Sequence, residues 1–282
     1  METRRMCPHC RAFITRSDRT CPYCNEKVGP TAAQRMGGGA PLGGFIPHAR
    51  FVTVMILVIN FGLYAATTLY SMGARRDGGL AFDIDLRTLV LFGAKYPPSI
   101  AAGEWWRLVT AGFLHGGILH ILMNSWVLFD LGAQVEEIYG TYRLIAVYFA
   151  ATVAGFWLSN VWSPAISVGA SAGVCGLIGA MIAVGVLHRS ALGAAIRGFY
   201  IRWAVYVLIM GMLPGLRIDN AAHIGGLAAG FGVAYIAGLP RLVASKELVW
   251  RLVAYACLAL TALAFTKWAL WFIAISKEIA AS

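Results

Sequence analysis

The sequence predicts an all-α polytopic membrane protein: a bundle of seven apolar helices, with a small cysteine-bearing module in front. Three observations predict it. The 282 residues are 59% hydrophobic and only 13% charged, against about 25% charged in soluble domains. Seven apolar stretches follow residue 50, near 51–70, 113–133, 143–162, 171–187, 199–216, 221–239 and 249–274. Four of the six cysteines fall in the first 24 residues, as C-P-H-C and C-P-Y-C.

Taken in order, residues 1–30 read as one unit and residues 31–50, with G-G-G-A-P-L-G-G, as a flexible linker. The residues before Phe51 are polar and basic, without the apolar run or small-residue cleavage site of a secretory signal, so the first apolar segment is expected to be retained. A spanning helix needs about 20 mostly apolar residues. The fifth and sixth stretches are marginal by that measure, and the fifth carries Arg202 near its start and Pro214 near its end. Residues 71–112 are too long for a tight turn; with Asp77, Asp83, Asp85, Pro97, Pro98 and a Trp pair they read as a structured re-entrant or interfacial loop. Backbone groups in lipid must be satisfied internally, so the bundle is helical. Gly226 and Gly230, together with Gly173, Gly176, Gly179 and Ala180, mark the fourth and sixth segments as the closest-packed pair.

The formal charge of +10 is read as topology and contact with anionic lipid, with no nucleic acid expected. With the N-terminus cytoplasmic, inside segments hold fifteen Lys and Arg and outside segments eight, which favours that orientation and an outside C-terminus, in a bacterial inner membrane or its equivalent. Trp105, Trp268 and Trp271 read as interfacial anchors.

Polar groups inside spanning segments are costly and default to functional hypotheses. The main ones are His115, His120, Asn124, Ser171 and His223, while Asn60 has no evident partner. Segment order and parity bring all five to the outer half of the bilayer at comparable depth. Ser171 opens the fourth segment and His223 lies near the start of the sixth. A serine hydroxyl becomes nucleophilic when a base takes its proton, and histidine is the usual base near neutral pH. His120 and Asn124, at i and i+4, share one helix face as side-chain donors and suit an oxyanion hole. A serine at a helix N-terminus adds a backbone N–H. No acidic residue is expected at that depth, so the chemistry reads as a Ser–His dyad. His115 is expected to be exposed near the helix mouth, and Cys175 to be a small buried hydrophobe.

The runs G-A-S-A-G-V-C-G-L-I-G-A at 169–180, H-G-G-I-L-H-I-L-M-N at 115–124, A-H-I-G-G-L-A-A-G at 222–230, E-W-W-R-L-V-T at 104–110 and the G-x-x-x-E of Gly132 to Glu136 resemble, in order, the motifs of rhomboid intramembrane proteases. The resemblance covers about 51–240 and implies a six-helix core. It implies Ser171 as nucleophile, His223 as general base, and His120, Asn124 and the Ser171 backbone N–H as oxyanion hole, with Arg107 and Glu136 bracing the first loop. It also implies cleavage of transmembrane segments of other proteins near the outer face of the membrane, without a cofactor for catalysis. Two positions depart from the family pattern. Ala172 stands where G-x-S-G has its second glycine, and Cys175 stands where the family commonly has an aromatic beside the histidine ring.

Cys7, Cys10, Cys21 and Cys24 form two C-x-x-C knuckles at a spacing suited to tetrahedral Zn²⁺. His9, inside the first knuckle, reads as an outward side chain. About 30 residues cannot build a core of their own, so the metal is expected to be structural, in a module serving as an adaptor to a substrate or protein partner, or as a regulator. The expected domains are 1–30, 31–50, a core at 51–240, and the seventh helix and tail at 241–282. Two functions compete with proteolysis: a catalytically inactive relative that binds or guides membrane-protein clients, which typically lacks the serine or histidine kept here, and a transporter, for which the sequence offers neither a midplane site nor paired repeats.

Overall fold

The computed structural model describes residues 4–7, 10, 12–15, 18, 20–26, 28, 51–74, 83–213, 218–239 and 247–281. The linker at 31–50, His9, Asp77 and Pro214 lie outside the described residues. The chain divides into two compact units, Met1–His48 and Ala49–Ser282.

In the first unit, β1 (Arg4–Met6) and β2 (Phe13–Thr15) pair antiparallel, with Arg4 opposite Thr15 and Met6 opposite Phe13. Cys7, Ile14, Cys21 and Val28 form its small core. The two knuckles close alike: Cys7 N–H donates to the Ala12 carbonyl and Cys21 N–H to the Glu26 carbonyl, each at 2.8 Å.

The second unit is helical. Its long helices are α1 (Phe51–Ala74), α5 (Ile118–Tyr139), α6 (Thr141–Trp162), α7 (Ser171–Leu187), α8 (Ala191–Met210), α9 (Asn220–Ala237) and α10 (Glu247–Ala281). The short helices α2 (Leu86–Leu91), α3 (Pro97–Ala101) and α4 (Arg107–Thr110), with a 3₁₀ turn at Ala111–Phe113, build the first loop between α1 and α5. Among the described residues, α1, α5, α6, α8 and α10 are long and apolar enough to cross a membrane. At 17 and 18 residues, α7 and α9 are the shortest of the seven. The protein is an all-α polytopic membrane protein.

Local chemistry sets the boundaries. Asp85, Ser190 and Asp219 cap α2, α8 and α9 by accepting the N–H of Thr88, Gly193 and Ala222. Gly140, at φ +83°, takes the left-handed turn that separates α5 from α6. The fifth apolar segment starts eight residues earlier than expected, at Ala191, because Arg197 and Arg202 dilute the apolar run without breaking the helix.

The closest packing joins α7 and α9. A Cβ on Gly226 would overlap the Ala172 carbonyl, and one on Gly230 would overlap the backbone of Gly176. These contacts advance in step, so the helices run parallel and the small residues let their backbones touch. The main core, including Leu128, Val135, Leu144, Leu177 and Ala234, lies among α5, α6, α7 and α9. A second core, with Leu89, Phe92, Ala94 and Ile121, sits under the first loop. Large apolar side chains such as Leu119, Trp126, Trp162 and Ile236 point outward, the surface a bilayer would cover.

Candidate active site

Ser171 is the first residue of α7 and is half-buried. The first N–H groups of a helix have no intrahelical partner, so the first-turn amides converge where the hydroxyl sits. His223 lies in the first turn of α9 and is 6% exposed. The helices' contact fixes its relation to Ser171: Ala172 and Ala222 share one buried cluster with Ala111 and Phe156. A Cβ on Gly155 would stand 2.6 Å from the Ala222 carbonyl and 2.8 Å from the Ala172 Cβ. With Ala172 level with Gly226, a rise of about 1.5 Å per residue puts Ser171 and His223 within about 3 Å of each other in height. The His223 Nδ1 is buried and has no hydrogen-bond partner among the described residues.

His120 arrives from the first turn of α5. Its Nδ1 accepts a long hydrogen bond from the Gly116 N–H, 3.5 Å, which leaves the proton on Nε2. That Nε2 would lie 2.7 Å from a Cβ built on Gly169, and the Ser171 Oγ 3.6 Å from the same point. Gly169 has φ +133°, so glycine is required there for both conformation and space. Asn124, one turn further and 9% exposed, donates one Nδ2 hydrogen to the His120 carbonyl at 2.9 Å. The expected nucleophile, base and donors thus come from α7, α9 and α5 to one end of the bundle. His115 is fully buried rather than exposed, its ring edge-on to His120 at 5.2 Å between centroids. Cys175 is buried, 4% exposed, one turn after Ser171.

The two residues expected to brace the first loop separate. Arg107 is fully buried within it, bonded to Glu104 and donating Nη1–H to the carbonyls of Val90 (2.6 Å) and Ala94 (3.0 Å). Glu136 instead accepts from Val52 N (3.2 Å), Thr53 N (3.3 Å), Thr53 Oγ1 (3.0 Å) and Thr141 Oγ1 (3.3 Å). That corrects its expected role: a carboxylate only 2% exposed needs donors, and the orphan amides at the N-terminus of α1 supply them.

Several residues at the site had no sequence signal. The Ala111 carbonyl accepts the Gly169 N–H at 3.0 Å. Lys95, fully buried, pairs its backbone with Ser167 and donates from Nζ to the carbonyls of Ser163 (2.8 Å) and Ala165 (2.7 Å). Burial lowers its pKa, partly opposed by Asp219. Asp219, one turn before His223, accepts from Ser159 Oγ and from the Ala222 N–H. Trp268 and Trp271, expected as interfacial anchors, pack on the first loop instead: the Trp268 Nε1–H bonds the Leu91 carbonyl at 2.9 Å and Trp271 lies 5.1 Å from the Arg107 guanidinium.

In the first unit the four cysteine Sγ atoms lie within 4.8 Å of one another. Cys7 and Cys24 are 3.7 Å apart and Cys10 and Cys21 3.6 Å, sulfur to sulfur. Four sulfurs about 2.3 Å from one tetrahedral ion stand about 3.8 Å apart, whereas a disulfide would need about 2.0 Å. The arrangement fits a Cys₄ metal site.

The Rhomboid domain family profile matches residues 102–240. The chain is similar to Rhomboid-like protease 2 of Toxoplasma gondii, 39% identical over 223 residues, covering 69% of this chain and 75% of that protein. It is similar to Rhomboid-like protease 3 of the same organism, 33% identical over 185 residues, covering 64% and 70%. It is also similar to Rhomboid protease GluP of Bacillus subtilis (strain 168), 42% identical over 154 residues, covering 55% of this chain but only 30% of GluP.

Proposed function

The chain belongs to the rhomboid family, and from that premise we propose that it is an intramembrane serine endopeptidase that cleaves transmembrane segments of other membrane proteins through a Ser171–His223 dyad. This reading is supported by the approach of the Ser171 hydroxyl and the His120 Nε2 to Gly169, and by the packing of Ala172 and Ala222, the neighbours of Ser171 and His223, in one buried cluster.

The chemistry follows from the donors and acceptors. His223 takes the proton as the Ser171 Oγ adds to the scissile carbonyl. The resulting oxyanion is held by the His120 Nε2–H, by the second Nδ2 hydrogen of Asn124 and by the Ser171 backbone N–H. Collapse of the tetrahedral intermediate expels the amine, which takes the proton from His223, and leaves an acyl-enzyme on Ser171. Water then attacks the ester, His223 again accepting the proton, and the acid product leaves with Ser171 restored. Each oxyanion donor contributes about 10²–10³ in rate. No cofactor takes part.

In this reading residues 51–240 are the protease core and 241–282 the seventh helix and tail. The N-terminus is cytoplasmic, the C-terminus outside, and cleavage lies toward the outer face of the bilayer. Residues 1–30 are a separate module in which Cys7, Cys10, Cys21 and Cys24 hold Zn²⁺, supported by the fit of their sulfur spacings; the metal would supply folding energy to a unit whose apolar core is small and itself includes two of the cysteines. The test is cleavage of a model transmembrane substrate in bilayers. Wild type should cleave, and Ser171→Ala and His223→Ala should each abolish cleavage while keeping the fold. Cleavage near the wild-type rate in either variant would overturn the dyad, and a folded wild type with no cleavage would favour a binding protein for membrane clients.

A further inference from the structure

The seventh long helix lies beyond the residues matched by the family profile. Its inward positions recur at alternating spacings of four and three: Trp250, Ala254, Cys257, Thr261, Ala264 and Trp268. Such a spacing makes one narrow seam along a helix. Ala254 and Ala264 are fully buried, while flanking residues such as Leu248, Leu258 and Leu270 are exposed. The middle of the seam is therefore small side chains, flanked by ring contacts of Tyr255 with Tyr142 and of Phe265 with Phe113, and the hydrogen-bonded and cationic contacts to other elements lie at its ends. Near the start, the Arg143 Nη1–H donates to Glu247 at 2.7 Å and the guanidinium lies 5.7 Å from the Trp250 ring. Near the other end, Trp268 donates to the Leu91 carbonyl and Trp271 lies over Arg107. Trp268 also packs with Phe92 and Phe272.

The contacts of Trp268 and Trp271 fall on a loop that holds the serine segment by two joints. Arg107, under Trp271, bonds the carbonyls of Val90 and Ala94. Next to Ala94, Lys95 exchanges both backbone hydrogen bonds with Ser167. On the loop's other arm, Thr110 bonds the Gly93 carbonyl and Ala111 accepts the Gly169 N–H. Ser167 and Gly169 are four and two residues before Ser171, and Gly169 has no spare room against His120.

We propose that α10 is a positioning element for the serine site: Trp268 and Trp271 clamp the first loop, and the loop in turn sets the Gly169–Ser171 segment against His120. Neither tryptophan touches the reacting atoms. The clamp raises the fraction of molecules in the competent arrangement, so its loss lowers turnover more than substrate binding. The proposal rests on the protease reading.

The experiment uses the full chain in bilayers. It compares wild type, Ser171→Ala, the double variant Trp268→Leu with Trp271→Leu, and Trp271→Phe. It reads kcat and KM on a model transmembrane substrate, labelling of Ser171 by a fluorophosphonate probe, and amide hydrogen exchange. The double variant should lose about tenfold in kcat with KM within about twofold, the loss expected from one buried hydrogen bond and one cation–π contact. Exchange in 86–101 and 163–170 should rise while α6 keeps its protection, and Trp271→Phe, which retains an aromatic face for Arg107, should stay within about twofold of wild type in kcat. A double variant with wild-type kcat and exchange overturns the proposal. So does equal loosening of α6, or failure of Trp271→Phe to retain activity, since either marks a general loss of stability. Wild type that neither cleaves nor takes the probe overturns the protease reading, an outcome distinct from an active wild type that is indifferent to the tryptophans.

Discussion

Replacing Gly169 with alanine should disable the site without dismantling the bundle. The added Cβ would stand 2.7 Å from the His120 Nε2 and 2.8 Å from its Cε1, where 3.4 Å begins ordinary contact. Either the ring or the loop must give by about 0.7 Å, the difference between those distances. The backbone adds its own cost, because φ +133° is sparsely populated by residues with a side chain, and strain of this kind costs about 1–3 kcal/mol. A misplacement near 1 Å at a reacting centre lowers rate by about 10²-fold, and losing one oxyanion donor costs about 10²–10³. Cleavage by Gly169→Ala should therefore fall by about 10²-fold, with a modest drop in melting temperature. Cleavage rate and thermal unfolding, measured on the same preparation in the same lipid, separate the two effects. A variant within about threefold of wild type in rate would refute the reasoning, because a displaced donor cannot cost so little.

Asn124→Ala should lower kcat by about 10²–10³ with little change in substrate binding; steady-state kinetics showing less than about a threefold change would remove Asn124 from the oxyanion hole. Elemental analysis of protein prepared without chelator should find one zinc per chain, and chelation should unfold the first unit while leaving probe labelling of Ser171 intact, since the site's residues all lie in the second unit; zinc-free, folded residues 1–30 would contradict the metal assignment. For Asp85, burial pushes the carboxyl pKa up, but hydrogen bonds from the Thr88 hydroxyl and amide and the Ser71 hydroxyl outweigh it, so the folded value lies below the ordinary one. A depressed carboxylate stabilises the fold above its unfolded pKa, and that stability is lost as pH falls through the folded value. Asp85→Asn should cost about 1 kcal/mol near pH 7, the margin by which hydrogen bonds to a carboxylate exceed those to a neutral amide, and thermal unfolding should show the difference from wild type shrinking below about pH 4; a difference independent of pH would contradict this.

The apolar runs made the helices legible. They marked all seven, and the glycines at 176, 226 and 230 marked which two touch, because both signals are local in sequence. That Ser171 and His223 open two helices at one end of the bundle was legible from segment order and parity. What escaped was partner choice. Lys95 looked like one more loop charge, yet it is fully buried and capped by two carbonyls 68 and 70 residues away. Glu136 reaches amides about 84 residues back. Trp268 and Trp271 have the composition of interfacial anchors, and only the fold shows that their inward edges meet a carbonyl and a guanidinium. Asp219 was passed over because it precedes the apolar run, although the cap of α9 puts it one turn from His223. In each case the side chain's chemistry was readable and its distant partner was not.

The central claim is that Ser171 is a nucleophile activated by His223. Its most direct test is covalent labelling of membrane-embedded protein by a fluorophosphonate probe, with the modified residue mapped by mass spectrometry. The account predicts stoichiometric modification of wild type at Ser171, none in Ser171→Ala, and a labelling rate lowered by orders of magnitude in His223→Ala. Unmodified wild type that is demonstrably folded, or equal labelling of wild type and Ser171→Ala, would contradict it.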